Sequence, residues 1–348
     1  KYTKEFVIDY FESLENEIAR SYFFNSYKNK YPCKLIVFSD KKNILINYRF
    51  RKFYKSINAS KFNYIFFSFE YLKFFLSYKK KDKIKKYLLN INDKRSILDF
   101  EYKNIRIGKD IYDEYLYRFK KKTLDIKDKE LRNVFYDFIF TIDYWENYFR
   151  KHDVIGISLS HPNLRLTAII GKIANKFFNI PVYSVTNSYV KKNTNLDNHE
   201  EWIKKELLQI PKKFSVLPDS EKKIAIEWSK KQLDRRFKGE VGVDMTYSKK
   251  SAFSNQKLDR TLNKSDKIKI LICTHEFHDS PHAQGGLLFA DFYEWLLYLG
   301  KKSVNSSYEW YIKNHPDSDN WTKKIVNDFI KNYPSIKLVN ENISFLQL

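Results

Sequence analysis

The chain has 348 residues, 43% of them hydrophobic and 18% aromatic, which is enough apolar material for two domains with their own cores and too much for a disordered chain. Sixty-four Lys and Arg against 42 Asp and Glu leave a formal charge of +22. Lys, Asn, Ile, Tyr and Phe are abundant together, so the excess reads as an A/T-rich codon bias and a solvated basic surface. That argues against a dedicated nucleic-acid binder and favours a diffuse attraction for an anionic membrane face or a phosphorylated substrate.

Lys1-Tyr2-Thr3-Lys4 leads into a mixed, charged pattern that predicts a helix, and no signal peptide is expected in it. Residues 34–39 and 63–68 are short, β-branched or aromatic, and bounded by polar residues, which predicts buried strands. A helix with a lysine-rich outer face is expected over 69–89, and helices with aromatic inner stripes over 111–118 and 129–151. No apolar run spans a bilayer; the nearest, Tyr64 to Tyr78, is broken by Glu70 and Lys73. The expected location is therefore cytoplasmic, with peripheral attachment to the inner face of the plasma membrane as the form any membrane contact would take. Strand 153–159, helix 164–178 and strand 180–185 make a parallel βαβ unit. Segments 200–208 and 220–237 are helical.

Residues 246–266 are polar and read as a linker. After it come strand 267–273, helix 287–300, strand 308–313, helix 320–332 and strand 336–339, a second parallel sheet. The expected division is an α/β domain over 1–245, the linker, and an α/β domain over 267–348. The last is expected to be incomplete, because more strands and helices would follow Leu348. The fold class is α/β, two Rossmann-like parallel-sheet domains facing a cleft, a GT-B-like arrangement argued from architecture alone. Cys33 and Cys273 lie in or beside apolar strands and allow neither a disulfide framework nor a zinc spacing. Trp145, Trp228, Trp295 and Trp310 have apolar neighbours and read as core.

The chemistry concentrates where strands end. Four of the seven histidines lie in the loops after strands 267–273 and 308–313, the edge where ligands bind in open α/β sheets. In Thr274-His275-Glu276-Phe277-His278-Asp279-Ser280-Pro281-His282, an imidazole and a carboxylate together suit general acid/base work. Asp279 and His282 flank Pro281 at i, i+3, so a turn would bring them together, with His275 as the alternate base. Gly285-Gly286, just ahead of the helix expected from 287, would present backbone N–H groups to a diphosphate. The plain alternative is a polar capping loop. A metal set of His275, His278, His282 and Asp279 has the right ligand types but no standard spacing, so no metal is expected. Lys313 and His315, in Lys313-Asn314-His315-Pro316, would meet phosphate or ribose oxygens. Ser160-His161-Pro162-Asn163 ends a first-domain strand and reads either as a site or as a helix cap. Tyr112, Asp113 and Arg118 would bind sugar hydroxyls or an anionic acceptor, or else orient and cap their helix. Arg235, Arg236 and Lys238 form a basic corner near the linker. There is no Walker loop, nucleophile elbow or Gly-x-Gly-x-x-Gly fingerprint.

Residues 275–282, 288–296 and 310–316, with 107–118 in the first domain, resemble bacterial surface and capsular polysaccharide biosynthesis proteins. Lys-x-His-Pro at a strand end is similar to capsule glycosyltransferases of GT-B type, including those that transfer Kdo or sialic acid, and to glycerophosphate polymerases. In those relatives the His-Pro histidine binds the donor's nucleotide phosphate, a role His315 would inherit. A later Ser- or Glu-bearing loop common in such enzymes is not found before Leu348. The resemblance implies a metal-independent glycosyltransferase. It would have no cofactor and would take a CMP- or UDP-sugar as donor and a cell-surface polysaccharide or lipid-linked glycan as acceptor. Asp279, His282 or His275 would be the base, Lys313, His315, Gly285 and Gly286 would hold the donor, and His161, Tyr112, Asp113 and Arg118 would lie on the acceptor side. A CDP-polyol phosphotransferase and a non-catalytic assembly protein are the other readings.

Overall fold

The computed structural model describes residues 3–40, 48–243, 248–253, 262, 264–283, 285 and 287–348, with the side chains of 78–79 and 199–206 left aside. They form two compact units, 1–204 with 280–286, and 205–279 with 287–348.

In the first unit, strands β1 (Glu5–Asp9), β2 (Lys34–Ser39), β3 (Ala59–Tyr64), β6 (Val154–Ser158), β7 (Val182–Val185) and β8 (Val190–Asn193) make one sheet in the order β3-β2-β1-β6-β7-β8. Every pairing is parallel except that of β7 with β8. The small hairpin of β4 (Glu101–Tyr102) and β5 (Ile105–Arg106) stands apart. The period of two along the strands sorts their side chains onto two faces. Phe6, Ile8, Leu35 and Val37 meet Phe24 of α1 (Leu14–Lys30) and Tyr54 of α2 (Tyr48–Ser56). Val7, Ile36 and Phe38 belong to the larger core with α6 (Gly108–Phe119), α7 (Lys129–Lys151) and α8 (Arg165–Phe178). Helices α3 (Phe69–Leu76), α4 (Tyr78–Leu89) and α5 (Lys94–Leu98) extend that layer.

The chain fills β1, β2 and β3 to one side and then returns to place β6 and β7 on the other. The order therefore reverses between β1 and β6, the topological switch point at whose carboxyl edge α/β sheets bind ligands. The expected charged helix at the N-terminus is instead β1, the strand at the middle of the sheet.

The second unit carries β9 (Lys269–Cys273), β10 (Glu309–Lys313) and β11 (Ile336–Val339), all parallel, in the order β11-β10-β9. Ile270, Ile272, Trp310 and Ile312 pack under Leu296 of α11 (Phe292–Val304) and Val326 and Phe329 of α12 (Asn320–Asn332). Leu271 and Tyr311 point to the opposite face with Val339 and Ile343. Helix α9 (His199–Ser215) crosses the division at 204/205, and α10 (Asp219–Phe237) lies in the second unit. The division at 204/205 lies ahead of the expected linker, and α10 buries none of its residues. Most of the expected linker lies outside the described residues. Trp145 and Trp310 are core and Trp295 packs against it, but Trp228 is 63% exposed on α10, contrary to expectation. No helix among the described residues is long and apolar enough to cross a membrane.

Candidate functional site

Asp9 closes β1 and Ser160 follows β6, so the switch point brings them together: the Ser160 N–H donates to Asp9 Oδ1 at 2.9 Å. Beneath them lies Arg20 of α1, buried completely. Its guanidinium contacts Asp9, donates to Glu17 Oε1 at 2.7 Å and reaches the Ser158 carbonyl at 2.8 Å. A buried guanidinium needs this many acceptors to offset its lost hydration. The network ties α1 to the ends of β1 and β6.

Over this floor lies a cavity of about 400 Å³ lined in part by Asp9, Asp40, Glu114, Arg118, His161 and Arg165. Asp40 follows β2 and accepts from the Thr167 hydroxyl at 2.7 Å. Burial raises its carboxyl to about 6, with Asp9 and Glu114 adding to the rise. His161 rests edge-on against Phe11, ring centres 4.9 Å apart. Arg165 opens α8 in the left-handed region, φ 50°, with its guanidinium 3.5 Å from the Tyr117 ring centre. Arg118 is held by Glu114 at 2.8 Å and by Asp137 at 2.5 Å. The histidine and arginine expected on the acceptor side therefore do line one cavity.

A second cavity of about 400 Å³ is lined in part by Asp110, Asp113, Asn163, Lys172, His282 and Ala283. Residues 280–286 belong to the first unit, and Asp113 of α6 receives them. Its carboxylate accepts the His282 N–H at 3.1 Å and lies 2.6 Å from His282 Nδ1. Asn163 donates to the Ala283 carbonyl at 3.3 Å. Burial pushes the Asp113 carboxyl above the usual carboxylate range while the imidazole pulls it down. A carboxylate on Nδ1 fixes the tautomer and leaves proton transfer to Nε2. Tyr112 lies edge-on to the imidazole at 4.8 Å and is buried outright, so it props the histidine instead of meeting a sugar. Lys172 pairs with Asp110 and donates to the Arg106 carbonyl at 2.8 Å.

The sequence expectation paired His282 with Asp279. The imidazole instead takes Asp113, and Asp279 is exposed, its N–H closing a turn on the Glu276 carbonyl. Neither Ser160 nor Asn163 caps α8, whose N-cap, Leu164, offers no side-chain bond. Gly285 closes a turn on the His282 carbonyl at φ 70°, and Gly286 lies outside the described residues. The helix expected from 287 starts at Phe292, where Asp291 accepts the Glu294 N–H at 2.8 Å. Gly285 therefore does not sit at a helix N-terminus.

In the second unit, His275 and His315 follow the paired strands β9 and β10. The Thr274 N–H bonds the Lys313 carbonyl at 3.1 Å, and Thr274 Oγ1 donates to Asn314 Oδ1 at 3.3 Å. His315 is exposed, its Nδ1 accepting from the Asp317 N–H at 3.2 Å. Its pKa is lowered, first by desolvation and further by His275 and Lys313, against Asp317 and Glu276. Lys313 is buried, donates to the Glu341 carbonyl at 2.9 Å and lies 4.8 Å from the Phe345 ring centre. At i, i+2 it shares the sheet face of Tyr311, and its ammonium is engaged with the loop that follows β11.

Glu276, His278 and Asp319 bring ligand-type atoms within 4.8 Å of one another. Glu276 accepts the Asp319 N–H at 2.9 Å and the Thr322 hydroxyl, and Asp319 accepts the Thr322 N–H at 2.8 Å. The two carboxylates thus satisfy the start of α12, whose dipole opposes a cation there. Of the metal set weighed from the sequence, His275, His278 and Asp279 belong to the second unit and His282 to the first.

Sequence reasoning missed Asp9, Arg20, Asp40 and Arg165. The available signal was Phe6-Val7-Ile8-Asp9, an apolar triplet ending in an acid, hidden between Glu5 and Glu12.

No family model and no curated protein matches the chain. Among solved structures it is similar to the GT-B domain of a sialyltransferase from Photobacterium damselae, at 12% identity over 98% of this chain and 82% of that one, with a TM-score of 0.16. A likeness that weak transfers no residue roles.

Proposed function

We propose that the chain is a glycosyltransferase that moves a sugar from a CMP- or UDP-activated donor to a cell-surface polysaccharide or glycolipid acceptor. The observation that carries this reading is the buried Asp113–His282 pair on the wall of a cavity: an imidazole oriented by a carboxylate is a general base for an acceptor hydroxyl. His282 is the base and Asp113 its positioning residue. The switch-point cavity, with carboxylates beside Phe11 and Tyr117, offers partners for acceptor hydroxyls and for the apolar face of a sugar ring. On the second unit, His275 and His315 would meet the donor phosphates. A place at the inner face of the plasma membrane belongs to the same reading.

Incubation with CMP-, CDP- and UDP-linked donors tests it, following nucleotide release with and without oligosaccharide acceptors. His282→Ala should lower kcat about 10²- to 10⁴-fold. Asp113→Asn should also lower kcat with little change in donor KM, because it disturbs the tautomer and not the binding. His315→Ala should act mainly on donor KM. Unchanged turnover in both His282→Ala and His315→Ala rejects the assignment. Turnover of CDP-polyols alone points to the phosphotransferase, and turnover of no donor to an assembly role.

A further inference from the structure

Helix α3 is held to its unit by one side only. Phe74 is buried with its ring centre 5.3 Å from that of Phe140 on α7, and Tyr71 donates to Asp137 at 3.2 Å. At 3.6 residues per turn, Phe75, Leu72, Leu76 and Phe69 fall in that angular order on the other side, within an arc of about 120°. They are 48%, 52%, 69% and 64% exposed, and Phe67 just before the helix is exposed as well. A soluble helix normally turns such an arc to its core. This one turns it to solvent, and singly scattered exposure does not explain a continuous stripe.

The charge around the stripe says what covers it. Residues 79–86 hold six lysines and one aspartate, and Glu70 is the one acid on α3. Lys73 and Lys81 sit over the Phe69 and Phe75 rings, 4.5 and 4.8 Å from the centres, on the rim of the apolar arc. Ser77 ends α3 and caps α4 through the Lys80 N–H, so the apolar and the basic helix are separate, adjoining pieces. Lys83, Lys85 and Lys86 are exposed on α4, which is anchored by buried Ile84. An apolar strip bordered by lysines matches an interface with acyl chains below and anionic headgroups around it. A partner protein's apolar groove would not call for lysines over the stripe's own rings and an exposed basic helix next to it in the chain.

We propose that α3 and α4 form a docking surface for an anionic lipid bilayer, with Phe69, Leu72, Phe75 and Leu76 entering the headgroup boundary and the α4 lysines pairing with lipid phosphates. The proposal rests on the surface alone and stands whether or not the chain transfers sugar.

Flotation of the full chain with vesicles of phosphatidylcholine, alone or mixed with phosphatidylglycerol, tests it. The wild type should float with the mixed vesicles, less so as salt rises, and hardly with the neutral ones. Leu72→Glu with Leu76→Glu, both at exposed positions, should lower partitioning about tenfold or more. Lys83→Glu, Lys85→Glu and Lys86→Glu together should lower it about a hundredfold. The same reversal at exposed Lys301, Lys302 and Lys324 should cost much less. Leu76→Trp should show blue-shifted emission with mixed vesicles only. Equal losses in the two lysine variants would mean a diffuse field and overturn the assignment. So would wild-type flotation of the double Leu variant, or a wild-type dimer that this variant converts to a monomer without loss of vesicle binding.

Discussion

Asp40 shows how a single side chain reports its surroundings. It sits at the end of β2 with a bond from Thr167, and burial raises its carboxyl to about 6. The unfolded chain titrates near the ordinary carboxylate value of about 4. Between those two values the folded state holds the proton more tightly, so folding stability falls as pH rises from about 4 to about 6. Below that window the group is protonated in both states and its contribution is complete. Asp40→Asn keeps an acceptor for Thr167 and removes the titration. Near neutrality it should be more stable than the wild type by up to about 3 kcal/mol, with the difference vanishing near pH 4. Urea midpoints across this range measure it, and a constant offset at every pH would contradict it.

At the scale of elements, periodic segments were legible and their ends were not. Helices α7 and α12 and strand β11 lie where their apolar spacing places them, because each has one face toward a core and one toward water. Where a local cap competes with periodicity, the cap wins. Ser77 divides 69–89 into two helices, and Asp291, accepting the Glu294 N–H, delays α11 to Phe292. β1 escaped notice because its apolar triplet is shorter than a helical window and bounded by acids. Of the site, the residue types in the 275–282 loop were visible, but the partner of His282 was not. Asp113 lies 169 residues away in the chain, a contact that no local pattern encodes. The position of α6 depends in turn on Gly108. A Cβ there would lie 1.9 Å from the Ile97 carbonyl oxygen and 2.6 Å from that of Leu98, both backbone atoms that cannot swing aside. Gly108→Ala should therefore displace α6 and cost about 2–4 kcal/mol. It should also lower turnover through Asp113 even where the protein remains folded. A urea midpoint within error of wild type would show that the close approach is not needed.

For the molecule as a whole, the two units hold separate apolar clusters: the two faces of the six-stranded sheet in one, the α11–α12 layer and the Tyr311 face in the other. Stability generated by separate cores need not be lost together. Leu296 is buried completely under the second unit's sheet and Phe138 completely within α7. Leu296→Ala should cost about 2–5 kcal/mol and Phe138→Ala about 3–5 kcal/mol. Each loss should be felt within its own unit. Hydrogen exchange resolved by peptide should show Leu296→Ala stripping protection from β9, β10, α11 and α12 while α7 and α8 keep theirs, and Phe138→Ala doing the reverse. The 280–286 segment discriminates most sharply. It belongs with the first unit although its neighbours in sequence belong to the second. Its amides should therefore follow Phe138→Ala and be spared by Leu296→Ala. If the His282 amide instead loses protection with Leu296→Ala alone, the bond to Asp113 does not hold the loop, and the acid/base pair on which the proposed chemistry depends is lost with it.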